Sequence, residues 1–235
     1  MSEWKAKRFW TQATVEPVEG GWQVLLDGRP VRTPAKAALV LPSERLARAI
    51  AEEWQAQGEK IDPRAMPATR TANSAIDKVS VQRDEVAEML AAYGGSDMLC
   101  YRAEGPAELV ARQSAEWDPL LDWAEARFDA RLVSVAGVMP VAQDAAALER
   151  LAAPLRDMDP FALAAFHDLV ALSGSLVLAH AVTEGHLGAS EAWRLSRLDE
   201  EWQIEQWGED EEAEALAQMK RAAFHDAARF WSLLG

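Results

Sequence analysis

The chain has 235 residues, of which 49% are hydrophobic and 26% charged, and its formal net charge is −14. That length and balance fit one large or two small globular domains with a real core, and they exclude a disordered chain. So acidic a surface disfavours a nucleic-acid phosphate backbone or an anionic membrane as partner, and suits a protein with a basic patch.

The opening stretch "MSEWKAKRFW" has no apolar core segment and no small-residue cleavage site, so no signal peptide is expected. The next thirty residues read as strands. In "GGWQVLLDGRPVRTP", Asp27-Gly28 separates two apolar-rich runs. Asp-Gly supplies the positive φ angles of a two-residue hairpin turn, so 22–26 should pair antiparallel with 30–33. "ALVL" at 38–41 can add a strand, and Pro30 and Pro34 belong at strand starts, edges or ends because they lack an amide donor.

The period then changes from 2 to 3.6. Ser43 is the expected N-cap of a helix whose Leu46, Ile50 and Trp54 share one face and which Gly58 ends. Further helices are expected near 69–78, 81–93, 106–117, 119–128, 143–156, 160–184, 189–207 and 210–233. Pro119 should start a helix rather than sit inside one. "LVALSGSLVLAHAV" (169–182) is too short to span a bilayer, which needs roughly 20 apolar residues. It reads as a buried central helix. The expected architecture is α+β: a small N-terminal β-rich part, residues 1–66, followed by a larger helical bundle, residues 67–235.

Catalytic signatures are sparse. No dinucleotide or phosphate-loop glycine motif, no H-E-x-x-H and no C-x-x-C pair is present. "LSGSL" (172–176) is not a nucleophile elbow, because Leu172 replaces the first glycine; its small residues suit close packing in mid-helix. His167-Asp168 could do acid–base work, but a helix surface or a satisfied core histidine accounts for it more simply. The one cysteine, Cys100, rules out an intramolecular disulfide; Arg102 could activate it, yet a lone cysteine is usually a buried small residue.

The most unusual segment is "RLDEEWQIEQWGEDEEAEAL" (197–216), in which nine of twenty residues are Asp or Glu. On a helical wheel, Ala192, Leu195, Leu198 and Trp202 form one apolar stripe, and Trp193, Ile204 and Trp207 a second. Arg194, Arg197, Glu201 and Glu205 lie between them on a face that reads as solvated, with Arg197 and Glu201 as an i,i+4 pair. Asp199 falls inside the first stripe and Glu200 inside the second, where solvation explains them poorly. Gly208 breaks the helix. Glu209, Asp210, Glu211, Glu212 and Glu214 then suit the positive end of the next helix, whose apolar stripe is Leu216, Met219, Ala223, Ala227, Phe230 and Leu234. Three uses of the run compete: solvated helix, a metal-dependent hydrolase built on the 199–214 carboxylates, and a Trp-studded acidic surface for a protein partner.

Three stretches resemble one family. They are "KRFW…GGWQVLLDGRPVRTPAKAALVLPSERLARAIAEEWQAQGEKIDPRAMPATRTANSAID", "DMLCYRAEGPAELVARQSAEWDPLLDWAEARF" and "LSRLDEEWQIEQWGEDEEAE". Together, from Lys7 to about Trp231, they resemble the Atp-twelve-type chaperones, assembly factors of the F-type ATP synthase catalytic sector. The resemblance implies a non-enzymatic chaperone without a cofactor or metal. It would bind the unassembled alpha subunit and release it when the alpha/beta hexamer forms. It also implies a C-terminal orthogonal helical bundle. Eukaryotic relatives work in the mitochondrial matrix; this chain shows no Arg/Ser-rich amphipathic lead, so a bacterial cytoplasmic member, monomeric when free, is expected. The family's important acid matches Glu201 by motif, while the wheel singles out Asp199 and Glu200. Partner contact is expected from Glu201, Asp199, Glu200, Glu205, Trp202, Trp207 and Glu209. Trp54 also matches a family position, but its spacing points to core packing.

Overall fold

Strand formation begins at the tight turns. β1 (Ala13–Val18) and β2 (Gly21–Leu26) pair antiparallel from Ala13 opposite Leu26 to Val18 opposite Gly21. β2 then turns through Asp27 and Gly28, at φ 46° and 78°, into β3 (Arg29–Pro30). Both turn residues are left-handed, as the Asp-Gly signature requires. The ladder after it is shorter than expected, two residues rather than 30–33. β4 (Val40–Leu41) lies on β2 with Leu41 opposite Trp22. A Cβ on Gly21 would sit 2.2 Å from the Leu41 carbonyl oxygen, so only glycine permits that approach.

A computed structural model describes residues 7–235, and the first six residues of the segment read for a signal peptide lie outside it. The chain forms two compact units. Among the described residues, one is 7–83 with Asp159–Ala165 and Arg229–Gly235; the other is Asp84–Met158 with Phe166–Ala228. In the first unit α1 (Glu44–Gln55) starts at Ser43, whose hydroxyl accepts from the Leu46 amide at 3.1 Å. The helix ends at Ala56, ahead of Gly58. Leu46 and Ile50 are buried with Trp10, Val24, Leu26, Leu39, Leu41 and Phe230, and Trp54 packs against this core. α2 (Pro67–Asp77) is capped from outside: the Glu53 carboxylate of α1 accepts from the Ala68 and Thr69 amides at 2.7 and 2.8 Å. A carboxylate there satisfies two orphan donors and meets the positive end of the helix dipole.

The second unit is helical. α3 (Arg83–Ala91) leads to α4 (Ala107–Phe128), which is one 22-residue helix with Pro119 inside it. The expected division into 106–117 and 119–128 is therefore corrected. Pro in mid-helix costs about 3 kcal/mol. Trp117, Leu120, Leu121 and Ala124 are all buried on α4, and each large apolar side chain returns about 1.5–3 kcal/mol on burial. Packing on both sides of the proline outweighs one missing hydrogen bond. A two-residue parallel pair, β5 (Tyr101–Arg102) with β6 (Val135–Ala136), precedes α5 (Ala145–Asp157).

Two expected long helices are broken. Residues 160–184 form α6 (Pro160–Ser173) and α7 (Leu176–Thr183), because Gly174 turns left-handed at φ 73°. "LSGSL" is thus a helix junction, not mid-helix packing. Buried Asp97 organises it, accepting from the Ser175 hydroxyl at 2.9 Å and from the Val177 and Leu99 amides at 3.0 Å each. Burial pushes the Asp97 carboxyl up and these hydrogen bonds oppose that rise. Residues 189–207 likewise form α8 (Ala189–Ser196) and α9 (Leu198–Trp207), separated at Arg197. α10 (Glu211–Ser232) carries Glu211, Glu212 and Glu214 in its first turn as expected, with the Asp210 carboxylate accepting from the Ala213 amide at 2.8 Å. Its expected apolar stripe is only partly inside: Ala227 and Phe230 are buried, whereas Leu216 and Met219 are 49% and 67% exposed. α7 is buried almost along its whole length, and among the described residues no helix is long and apolar enough to cross a membrane.

Candidate partner-binding surface

α9 carries the acids that the sequence singled out, and α4 and α8 fix where they point. Trp117 of α4 is buried and donates its indole N–H to the Leu195 carbonyl of α8 at 3.0 Å. That bond fastens the start of the acidic run to α4. Leu198 is the buried residue of α9, so the helix packs through its first turn and leaves its far end outside.

Asp199, Glu200 and Glu201 follow Leu198 in that first turn, and each has a different environment. Asp199 accepts from the Gln113 side-chain amide of α4 at 2.7 Å. Gln113 is only 1% exposed, and its carbonyl oxygen accepts from the Ala103 amide at 2.8 Å. Glu200 pairs with Arg197 at 2.7 Å. Glu201 lies 3.7 Å from Arg112, and its side chain is 38% exposed. Burial pushes the Glu201 carboxyl up, Arg194 and Arg112 pull it back, and Glu116 and Glu205 add to the rise.

The expected Arg197–Glu201 pair is therefore corrected: Arg197 goes to Glu200, three residues on. The face bearing Glu201 and Glu205 is also not simply solvated, because it meets Arg112 of α4. Arg112 donates to both oxygens of Glu205 at 2.8 and 2.9 Å and lies 3.6 Å from Glu116. Arg194 of α8 joins Glu116 to Glu191, donating to Glu191 at 2.7 and 3.0 Å. The Glu205 hydrogen bond raises the Arg112 pKa, and Arg194 holds Glu191 low. Each exposed pair alone is worth little, but shared arginines form a network that ties three helices together. Gln113, Arg112 and Glu116 carried no sequence signal for this role beyond the local i,i+4 spacing of the last two.

Trp202 is half-buried, and Glu209 is exposed past the helix end. Trp207, one of the second stripe's residues, is 79% exposed. The combination is an acidic, arginine-laced surface edged by an open tryptophan, suited to fast, specific and reversible contact with a basic protein surface.

The other chemical candidates resolve into structure. Among the described residues no group of three His, Cys, Asp or Glu side chains could hold a metal ion. The acids of 199–214 are divided between arginine pairs, an amide and a helix start. Cys100 is buried, and burial pushes its thiol up to about 12. His180 is a satisfied core histidine, bonded to the Leu151 carbonyl at 3.0 Å between Phe128 and Phe166. His167 meets Asp168 at 2.9 Å on a half-exposed helix face.

Comparison with known proteins gives consistent matches. A family model described as "ATP12 chaperone protein" matches residues 7–125, ending before the acidic run. The crystal structure of Atp12 from Paracoccus denitrificans is 56% identical and superposes with a TM-score of 0.96, covering 99% of this chain and 100% of that one. An aspartate-to-lysine mutant of the P. denitrificans protein matches with the same identity and TM-score over 100% of both chains. The mitochondrial protein atp12 of Schizosaccharomyces pombe is 26% identical over 222 residues, 89% of this chain and 76% of that protein.

Proposed function

Because the chain belongs to the ATP12 chaperone protein family, we propose that it is an assembly chaperone of the F-type ATP synthase catalytic sector. It binds the unassembled alpha subunit and releases it when the alpha/beta hexamer forms. An unassembled subunit exposes an interface larger and more apolar than ordinary surface, and covering it prevents aggregation. The work is binding and release, with no bond made or broken and no cofactor needed. The proposed setting is the bacterial cytoplasm, with the free chaperone monomeric.

The observation that carries this reading is the open end of α9. Trp207 is 79% exposed, beside an acidic network whose Glu201 and Glu205 remain partly accessible. We assign the first contacts to Glu201, Glu205, Trp207 and Glu209. Asp199 is turned to Gln113 and Glu200 to Arg197, and Trp202 is half-buried, so these three are less free to make the first contact. Acids on the rim steer encounter, and a single open aromatic anchors without preventing release. Co-expression with the cognate alpha subunit tests this. Alpha should stay soluble in a one-to-one complex, and added beta subunit should displace the chaperone. Alpha that precipitates equally with and without this protein refutes the proposal.

A further inference from the structure

A groove opens in the second unit where α8, α9 and the start of α10 face one another. Its volume is about 490 Å³, within the roughly 300–1,000 Å³ of clefts that hold a ligand. Trp193, Ile204 and Ala217 supply apolar wall, and Glu201 and Glu214 line it as well. Trp193 is buried and leans on Phe224 at 5.7 Å, so that wall is fixed.

The charges in this groove are unevenly matched. Arg194 is held by Glu191 and Glu116, and Arg197 by Glu200. Arg221 is exposed and also lines the groove. Glu201 lies 3.7 Å from Arg112, whose hydrogen bonds go to Glu205, and Glu214 accepts from the neutral amide of Gln218 at 2.5 Å. Two carboxylates therefore border an aromatic and aliphatic wall without a guanidinium hydrogen-bonded to either. The wall is already compatible with a cation, since the Arg197 guanidinium sits 5.9 Å over the Trp193 ring. A purely apolar occupant would leave both carboxylates desolvated and unpaired, and an anion would be repelled. A long side chain with an aliphatic stem and a cationic head satisfies both halves.

We propose that this groove receives a lysine or arginine side chain of the alpha subunit, its stem against Trp193 and Ile204 and its head toward Glu201 and Glu214. The assignment rests on the alpha-subunit reading above and adds to it the residue type that docks and the place where it does so.

Affinity for purified cognate alpha subunit tests it, read for wild type, Glu201→Gln with Glu214→Gln, Ile204→Arg, and Glu19→Gln, an exposed residue of the first unit. The double variant should bind at least tenfold more weakly. Ile204→Arg, which fills the groove with its own cation, should bind more weakly still. Glu19→Gln should match wild type, and all should melt near the wild-type temperature. Should Ile204→Arg fail to fold, the nearly isosteric double variant decides alone. Wild-type binding together with a folded double variant that binds within twofold of it overturns the groove and leaves the alpha-subunit reading standing. A wild-type protein that does not bind alpha overturns that reading, and the groove assignment with it.

Discussion

Asp199 and Glu201 are neighbours in one acidic turn, yet their removal should have opposite consequences. Asp199→Ala deletes the acceptor of a 2.7 Å hydrogen bond from Gln113, a residue that is 1% exposed. A hydrogen bond to a charged group contributes about 1.5–3 kcal/mol, and a buried donor left unsatisfied carries a comparable penalty. Taking about 2 kcal/mol, and roughly 2–4 °C per kcal/mol for a chain of this size, the melting temperature should fall by about 4–8 °C. Glu201→Ala removes a carboxylate 3.7 Å from Arg112 whose charged form burial already disfavours. Such a partly exposed, long ion pair is worth less than about 1 kcal/mol. Melting should therefore barely move while affinity for the alpha subunit falls. Circular dichroism melts and alpha-subunit titrations of the two variants separate the effects. If the two variants melt together, or if Asp199→Ala alone loses binding while staying as stable as wild type, the division of labour drawn from Gln113 and Arg112 is wrong.

Two further outcomes test the interior. Burial lowers the His180 pKa from 6.5 to about 4, so the folded state binds fewer protons than the unfolded chain below pH 6.5. Stability is then present above 6.5 and lost as pH falls toward 4, at up to about 1.4 kcal/mol per pH unit. His180→Gln should remove that part of the acid sensitivity, measured as the wild-type-minus-variant difference in urea midpoint across pH 4–7; an unchanged difference refutes it. Cys100, buried and pushed up to about 12, should resist a thiol-reactive disulfide reagent at pH 8 in the native protein and react once in denaturant. Rapid native reaction would contradict its burial.

The parts of the fold that could be read in advance are those decided by neighbours in sequence. Asp27-Gly28 sets its turn through its own φ preferences, and Ser43 caps α1 through an amide three residues away. The failures involve distant partners. Pro119 stays inside α4 because Trp117 and Leu120 are buried beside it. The junction at Gly174 rests on Asp97, whose carboxylate binds Ser175 from 78 residues away in the chain. Nothing in the periodicity of 160–184 announces that acceptor. The same holds for Asp159–Ala165 and Arg229–Gly235, which fold with the N-terminal strands and carry no local mark of doing so.

The acidic run shows how the same limit affects a site. A carboxylate on an otherwise apolar helix stripe has two physical explanations: a partner molecule, or a donor elsewhere in the same chain. Asp199 was anomalous on the wheel, and Gln113, 86 residues earlier, answers the anomaly from within. Glu200 was anomalous too, and Arg197 answers it at short range once the helix breaks before Leu198. Glu201, which the wheel assigned to solvent, is the first-turn acid with the longest ion-pair distance and a place in the groove wall. An odd position on a wheel therefore marks a carboxylate that needs a partner, whereas an incompletely satisfied one marks a carboxylate still able to take one. Only the second property makes a contact residue, and it depends on the positions of Arg112 and Arg194, which come from how α4 and α8 pack against α9.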